Sequence, residues 1–255
     1  MRRCRLPVNK FIKEAKGRHK MNQADISDLT REKPFKPLWQ VVYEGLKTEI
    51  ITLKIAPGTR INEKSLAERL GISRSPLKMA IDKLIADTLI EKEPGHSPVV
   101  TELDFATYGQ IIKARRAVEC EAAYIAAKEI KPECLQQLQT VLQEFDRCTP
   151  ADKIRCSELD DQFHQLIVDA ANNIYISRMY DMIKPWLSRY RYYLAYYTRR
   201  NYYTEYPSYH EAIYHALSHH LSELARSEVV FDITRMENMI LDLSYRFSNV
   251  SPESE

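Results

Sequence analysis

Residues 63–90, EKSLAERLGISRSPLKMAIDKLIADTLI, constrain this chain more than any other stretch, because they read as two short helices joined by a tight turn. In the first helix Leu66, Ala67 and Leu70 share a face, and Gly71 supplies the permissive backbone that a sharp exit needs. Ser73 is placed to cap the second helix through its hydroxyl, and Pro76 falls in the first turn, where a missing N–H costs nothing. Leu77, Ala80, Ile81, Leu84 and Ile85 follow at helical spacing and predict a buried face, which leaves Arg74, Ser75, Lys78 and Met79 pointing outward. A second helix whose first turn presents Arg, Ser and Lys has the chemistry of a major-groove reader.

The flanking residues extend this pattern. From Leu38, apolar residues three or four apart (Val41, Val42, Leu46, Ile50, Leu53) predict a long helix that Pro57-Gly58 stops. Thr59-Arg60-Ile61 is short and β-prone. After Ile90, turn residues around Pro94-Gly95-His96-Ser97-Pro98 separate two short strand candidates and predict a hairpin. Three helices and a hairpin make a winged helix-turn-helix over residues 34–101, whose wing would bring His96 near a DNA backbone or minor groove.

Charge is distributed in a way that agrees. The net charge of +2 divides into +7 for residues 1–20, −1 for residues 21–33, +2 for residues 34–100 and −6 for residues 101–255, so a polyanion should be met by the N-terminal part. Residues 1–33 carry no sustained apolar periodicity and read as a basic and polar flexible arm ending in Lys33-Pro34-Phe35-Lys36-Pro37. Such an arm either reaches DNA phosphates or is a solvated tail. Met21 is a second candidate start of translation, which an intact mass beginning at Met1 would exclude. Five cysteines without metal-type pairing (Cys4, Cys120, Cys134, Cys148, Cys156), no secretory signal and no apolar run of transmembrane length predict a cytoplasmic protein with reduced thiols and no membrane partner.

With 6 Gly in 255 residues and few alternating apolar runs, the rest of the chain is expected to be mainly α. Residues 104–247 read as helix after helix, an all-α bundle. Leu159, Phe163, Leu166 and Ala170 share one face of a helix on which Asp160 and His164 stand one turn apart, so a carboxylate oxygen and an imidazole nitrogen can approach one metal ion together. Further on, His210 lies within the apolar stripe Ile213, Tyr214, Leu217, Leu221 and Leu224, whereas His215 and His219 fall on the opposite side. A histidine facing a core needs a partner; a hydrogen-bonded core histidine and a ligand are both open. Between these segments, residues 186–206 hold eight tyrosines among Arg189, Arg191, Arg199 and Arg200, either packing against the bundle or sending one Arg to pair with a carboxylate ligand.

The run PGTRINEKSLAERLGISRSPLKMAIDKLIADTLI resembles the DNA-binding domain of the GntR family of bacterial transcription regulators. The resemblance implies DNA contacts from Lys64, Arg74, Lys78 and the wing tip at Gly95 and His96, with Ser73 and Ser75 on phosphates. Lys64 and Lys78 stand where relatives often carry Arg, and Lys lacks the planar fork that reads guanine bidentately. Thr88 replaces a usual Gly before the wing. Downstream, ARRAVECEAAYIAA, LDDQFHQLIVDAANN and HEAIYHAL are similar to segments of the helical effector-binding (FCD) domain of the FadR-like branch. That resemblance implies a divalent metal (Zn, Ni or Mn) held by Asp160, His164 and His210, a small organic-acid effector beside it with Arg115 as its partner, and a homodimer on an inverted-repeat double-stranded DNA operator. The usual fourth ligand, a His on the last helix, is absent, and Glu237, Asn238, Met239 or no residue at all takes its place. Two alternatives stay open: a metal-dependent hydrolase fused to a DNA-binding head, and a metal-free regulator with an acyl-type ligand in an apolar cavity.

Overall fold

The computed structural model describes residues 21–32, 34–197 and 208–249, with the backbone alone at 197, 208 and 242–249. The arm's first twenty residues, and Arg199 and Arg200, lie outside the described residues. The chain divides into two compact units that meet in sequence at Leu103 and Asp104.

The N-terminal unit contains α1 (Gln23–Glu32), α2 (Leu38–Ile51), α3 (Glu63–Leu70), α4 (Arg74–Ala86), β1 (Ile90–Glu91) and β2 (Val99–Val100). Helix α1 is an addition to the expected three-helix head; Ile26 is its buried anchor, and it packs on α2 and α3. Val41, Val42, Leu46 and Ile50 of α2, Leu66 and Leu70 of α3, and Leu77, Ala80, Ile81 and Leu84 of α4 form one apolar core. Asn62 caps α3 by accepting from the Ser65 N–H at 3.0 Å, and Gly71 closes it at φ +65°, the left-handed conformation that glycine adopts without penalty.

The strands are antiparallel, with Ile90 opposite Val100 and Glu91 opposite Val99, and an isolated antiparallel bridge from Arg60 to Val99 ties the β-prone residues 59–61 to the wing. The turn into the wing is a Schellman-type helix exit. The Thr88 N–H bonds to the Ile85 carbonyl and the Leu89 N–H to the Leu84 carbonyl, each at 2.9 Å, with Thr88 itself at φ +60°.

The C-terminal unit is a helical bundle of α5 (Phe105–Glu129), α6 (Pro132–Asp146), α7 (Lys153–Ala170), α8 (Ile174–Tyr197), α9 (Ser208–Ser218) and α10 (Ser222–Asn249). Helix α5 is the axis, packing on α7, α8, α9 and α10. It can touch so many neighbours because Ala122, Ala123, Ala126 and Ala127 bury small side chains on several sides. Asp104 starts it, accepting from the Thr107 N–H at 2.8 Å and the Thr107 hydroxyl at 2.7 Å. No helix among the described residues is long and apolar enough to cross a membrane.

Candidate functional site

In the N-terminal unit the residues expected to meet DNA are all at the surface. Lys64, Ser73, Arg74, Ser75, Lys78, Gly95 and His96 are exposed, while the opposite faces of α3 and α4 are buried. One expectation fails locally. Ser73 is the N-cap of α4 in extended backbone, but its hydroxyl makes no capping hydrogen bond. The reason is in the sequence: an N-cap oxygen reaches for the second or third helical N–H, and the third helical residue here is Pro76, which has none. The Ser73 hydroxyl and the first N–H groups of a 13-residue helix are therefore presented outward together, beside Arg74 and Ser75. At the wing, Gly95 stands at φ +77° with nothing within 4 Å of the place a Cβ would take, which marks an open tip. Lys92 donates to Glu63 at 2.9 Å and ties the wing to the start of α3, next to Lys64.

In the C-terminal unit α7, α9 and α10 bring Asp160, His164, His210 and Asp232 together, with one ligand atom of each within 4.8 Å of the others. All four are buried. The residue of the last helix that joins the cluster is Asp232, 22 residues after His210, while Glu237, Asn238 and Met239 lie apart from it. On α10 the inward face runs through Val229, Asp232, Ile233, Met236 and Ile240. Glu237 turns away and pairs with Arg116 at 2.7 Å, and Asn238 is exposed. Met239 shares the inward face but lies seven residues, about 10 Å of helix rise, further along.

The geometry converges without closing on itself. His210 Nε2 approaches Asp160 Oδ1 to 3.1 Å without hydrogen-bond geometry, and both atoms are buried, while Asp160 Oδ2 is ion-paired. His164 Nε2 is 3.2 Å from Asp232 Oδ2, and its Nδ1 is 2.9 Å from Glu119 Oε2, which fixes the ring. Phe145 stacks on His210 at 5.0 Å and Phe163 packs at 4.7 Å, so the imidazole is wedged. Buried carboxylate oxygens and an imidazole nitrogen facing one point fit a cation, and two imidazoles with two carboxylates suit a divalent ion of the borderline kind.

Arg115, expected beside an effector, is fully buried within the cluster. Its Nε donates to Glu119 at 2.8 Å, and its Nη2 lies 3.0 Å from His164 Nε2 and 3.4 Å from Asp232. Among the described arginines of the aromatic run, Arg191 enters the cluster: its Nε is 2.6 Å from Asp160 Oδ2, and it also pairs with Asp161. Arg189 is buried over the Trp186 ring at 4.9 Å. Three buried carboxylates (Glu119, Asp160, Asp232) thus face Arg115 and Arg191 in the core and Arg235, which donates to Asp232 Oδ1 at 3.2 Å.

The ionisation of these groups follows. Burial alone would lower the pKa of His164, but Glu119 and Asp232 push it up to about 10 in the metal-free cluster. Burial would raise Asp160, but Arg191 and the two imidazoles hold it well below the usual carboxylate range. Asp232 is likewise held low by His164 against its burial. A metal ligated at His164 Nε2 would displace that proton. Next to the cluster, a cleft between Tyr108, Arg115, Tyr190, Arg191 and Met236 has about 10 Å³ of water-sized space, room for a single water, so an effector there requires side chains to move. His215 and His219 stack on each other at 4.1 Å on the exposed side of α9, as their spacing predicts.

Comparison with known proteins places both units. Residues 38–100 match the family described as "Bacterial regulatory proteins, gntR family", and residues 110–230 match the FCD domain. The chain is 33% identical over 144 residues to the HTH-type transcriptional repressor RspR of Escherichia coli K12, an alignment that spans 56% of this chain and 63% of that protein. It is 28% identical over 163 residues to the HTH-type transcriptional regulator Mce2R of Mycobacterium tuberculosis, spanning 56% of this chain and 67% of that one. Among solved structures, E. coli McbR/YncC shares the fold with a TM-score of 0.68 at 20% identity, over 84% of this chain and all of that chain. With the GntR match on its winged helix-turn-helix and the FCD match on the bundle that carries the His/Asp cluster, the chain belongs to the GntR family of bacterial regulators, in the branch with an FCD domain.

Proposed function

We propose that this protein is a homodimeric, ligand-responsive transcription regulator that binds an inverted-repeat operator through α4 and its wing, and that its FCD domain holds a divalent metal and a small carboxylate effector. The observation that carries the DNA-binding half is the outward N-terminus of α4, where Ser73, Arg74 and Ser75 are exposed beside uncapped N–H groups on a GntR-type head. Arg74 supplies the principal base or phosphate contact, Ser73 and Ser75 bond phosphates, and Lys64, Lys78, Gly95 and His96 position the head. Arg74→Ala should reduce operator affinity at least tenfold and flatten the dependence of affinity on salt, with the unfolding temperature unchanged. Unaltered affinity in a fluorescence-anisotropy titration sinks this assignment.

The metal half rests on the four converging groups. Asp160, His164, His210 and Asp232 would hold the ion, Glu119 orients His164, and Arg191 holds Asp160. When bound, the ion supplies positive charge with positions open to an effector carboxylate. Arg115 is the nearest buried guanidinium to such a carboxylate, and to pair with it must release Glu119 or Asp232. Metal analysis of untagged protein should find about one equivalent per chain in wild type and little in Asp232→Ala or in the His164→Ala, His210→Ala double variant. Equal content in all three would remove the site. The exposed Tyr175, Met179 and Met182 along one side of α8 support a partner subunit. The relatives are named as repressors and regulators, which speaks against the hydrolase alternative.

A further inference from the structure

The N-terminal unit holds a cavity that the DNA-binding reading does not use. It lies between α1 and α2 and measures about 330 Å³, within the range of small-molecule sites. Met21, Leu29 and Val41 give it apolar walls. Glu49 also lines it, on the face of α2 that otherwise buries Val42, Leu46 and Ile50. That glutamate is 4% exposed; its Oε1 accepts from the Met21 N–H at 2.6 Å, and its Oε2 is buried with no hydrogen-bond partner. Glutamate is almost never buried unless paired, and a half-satisfied carboxylate at a cavity wall calls for a donor.

We propose that this cavity is a second ligand site, taking a small organic ammonium ion whose N–H groups bond Glu49 Oε2 and whose apolar body lies along Leu29 and Val41. The charge of the lining favours a cation: Asp25, Glu44 and Glu49 stand there against Lys54. Glu44 is ion-paired with Lys36, which leaves Glu49 as the carboxylate with an unmet oxygen. A hard divalent ion is a poorer fit, because it takes six to eight oxygen ligands, whereas Asp25 already accepts from the Asn22 N–H and Glu44 is held by Lys36. A charge-assisted N–H···O bond from an ammonium satisfies the carboxylate and needs no such cage.

Occupancy would be felt at the reading head of the same unit. Helix α1, which forms one wall, also lies on the turn between α3 and α4: Gln23 Cδ is 2.5 Å from where a Cβ on Gly71 would stand. A ligand that braces α1 against α2 therefore steadies the segment that packs on that turn.

The test uses the full chain with n-butylammonium chloride as probe, n-butanol as the uncharged match and sodium chloride as the ionic control. Calorimetric titration should show saturable binding of n-butylammonium alone. Glu49→Gln keeps the side-chain volume and the acceptor for Met21 and should weaken that binding at least tenfold. Leu29→Trp fills the cavity from the half-exposed α1 without touching Glu49, and should abolish binding while the protein still unfolds cooperatively. No saturable binding to wild type, equal binding to Glu49→Gln, equal binding of n-butanol, or binding that survives in cooperatively folded Leu29→Trp would each overturn the proposal.

Discussion

Thr88 is where a single residue opposes its own backbone. It sits at φ +60°, a conformation that a β-branched side chain enters at a cost of about 1–3 kcal/mol, and its exposed Oγ1 donates to the Asp87 carbonyl at 2.7 Å. Glycine at the same place adopts the angle freely but loses about 0.5–1 kcal/mol through the greater freedom of its unfolded chain. The balance predicts that Thr88→Gly stabilises the winged-helix unit by about 1 kcal/mol, measured by urea unfolding. The Schellman exit survives the substitution because it is built from backbone groups. The departure from the usual Gly was legible in the sequence, but its cost was not, since only the observed angle makes it one. Ser73 is the reverse case: Pro76 two residues past Arg74 already announces that the cap hydrogen bond to the third helical N–H cannot form.

Between elements, the head is fastened where α2 meets the end of α4. The Tyr43 hydroxyl donates to Asp87 Oδ2, and Lys83 donates to Asp87 Oδ1 at 2.7 Å. Partial burial alone would raise the Asp87 pKa, but the Lys83 and Tyr43 bonds hold it below the usual range. A carboxylate whose folded pKa is depressed adds stability that is present above its unfolded value, about 3.9, and is lost as pH falls through the folded value. Wild type should therefore be more stable than Asp87→Asn at neutral pH, with the difference shrinking below about pH 4; a gap that stays constant down to pH 2 contradicts the tie. Local patterning foretold the helices of both units, because an amphipathic face follows from 3.6-residue spacing. It did not foretell α1, whose sole buried residue is Ile26 and whose polar sequence has no stripe to read. Nor did it find Asp232: a lone acidic residue between Phe231 and Ile233 is ordinary on a helix until the other helices show what it faces.

For the whole molecule, the proposed dimer has a candidate surface in α8. Tyr175, Met179 and Met182 recur at four- and three-residue spacing, and Met182 is 76% exposed, an unusual place for a large apolar side chain. Replacing Met179 and Met182 together by Glu should leave each chain folded and raise the dimer dissociation constant at least tenfold in sedimentation equilibrium; an unchanged constant moves the interface elsewhere.

The sequence by itself determined the winged helix-turn-helix, the exposed basic turn at Arg74 and the succession of helices that follows, because these depend on residues close in sequence and on the period of their apolar faces. It also placed Asp160 and His164 one turn apart on one helix, while only the family resemblance added His210 to them. What the tertiary structure alone decided was their company. Glu119 and Arg115 from α5, Arg191 from α8 and Asp232 from α10 enter the cluster from helices far apart in the chain, and buried charges acquire their meaning from the groups that face them across the core.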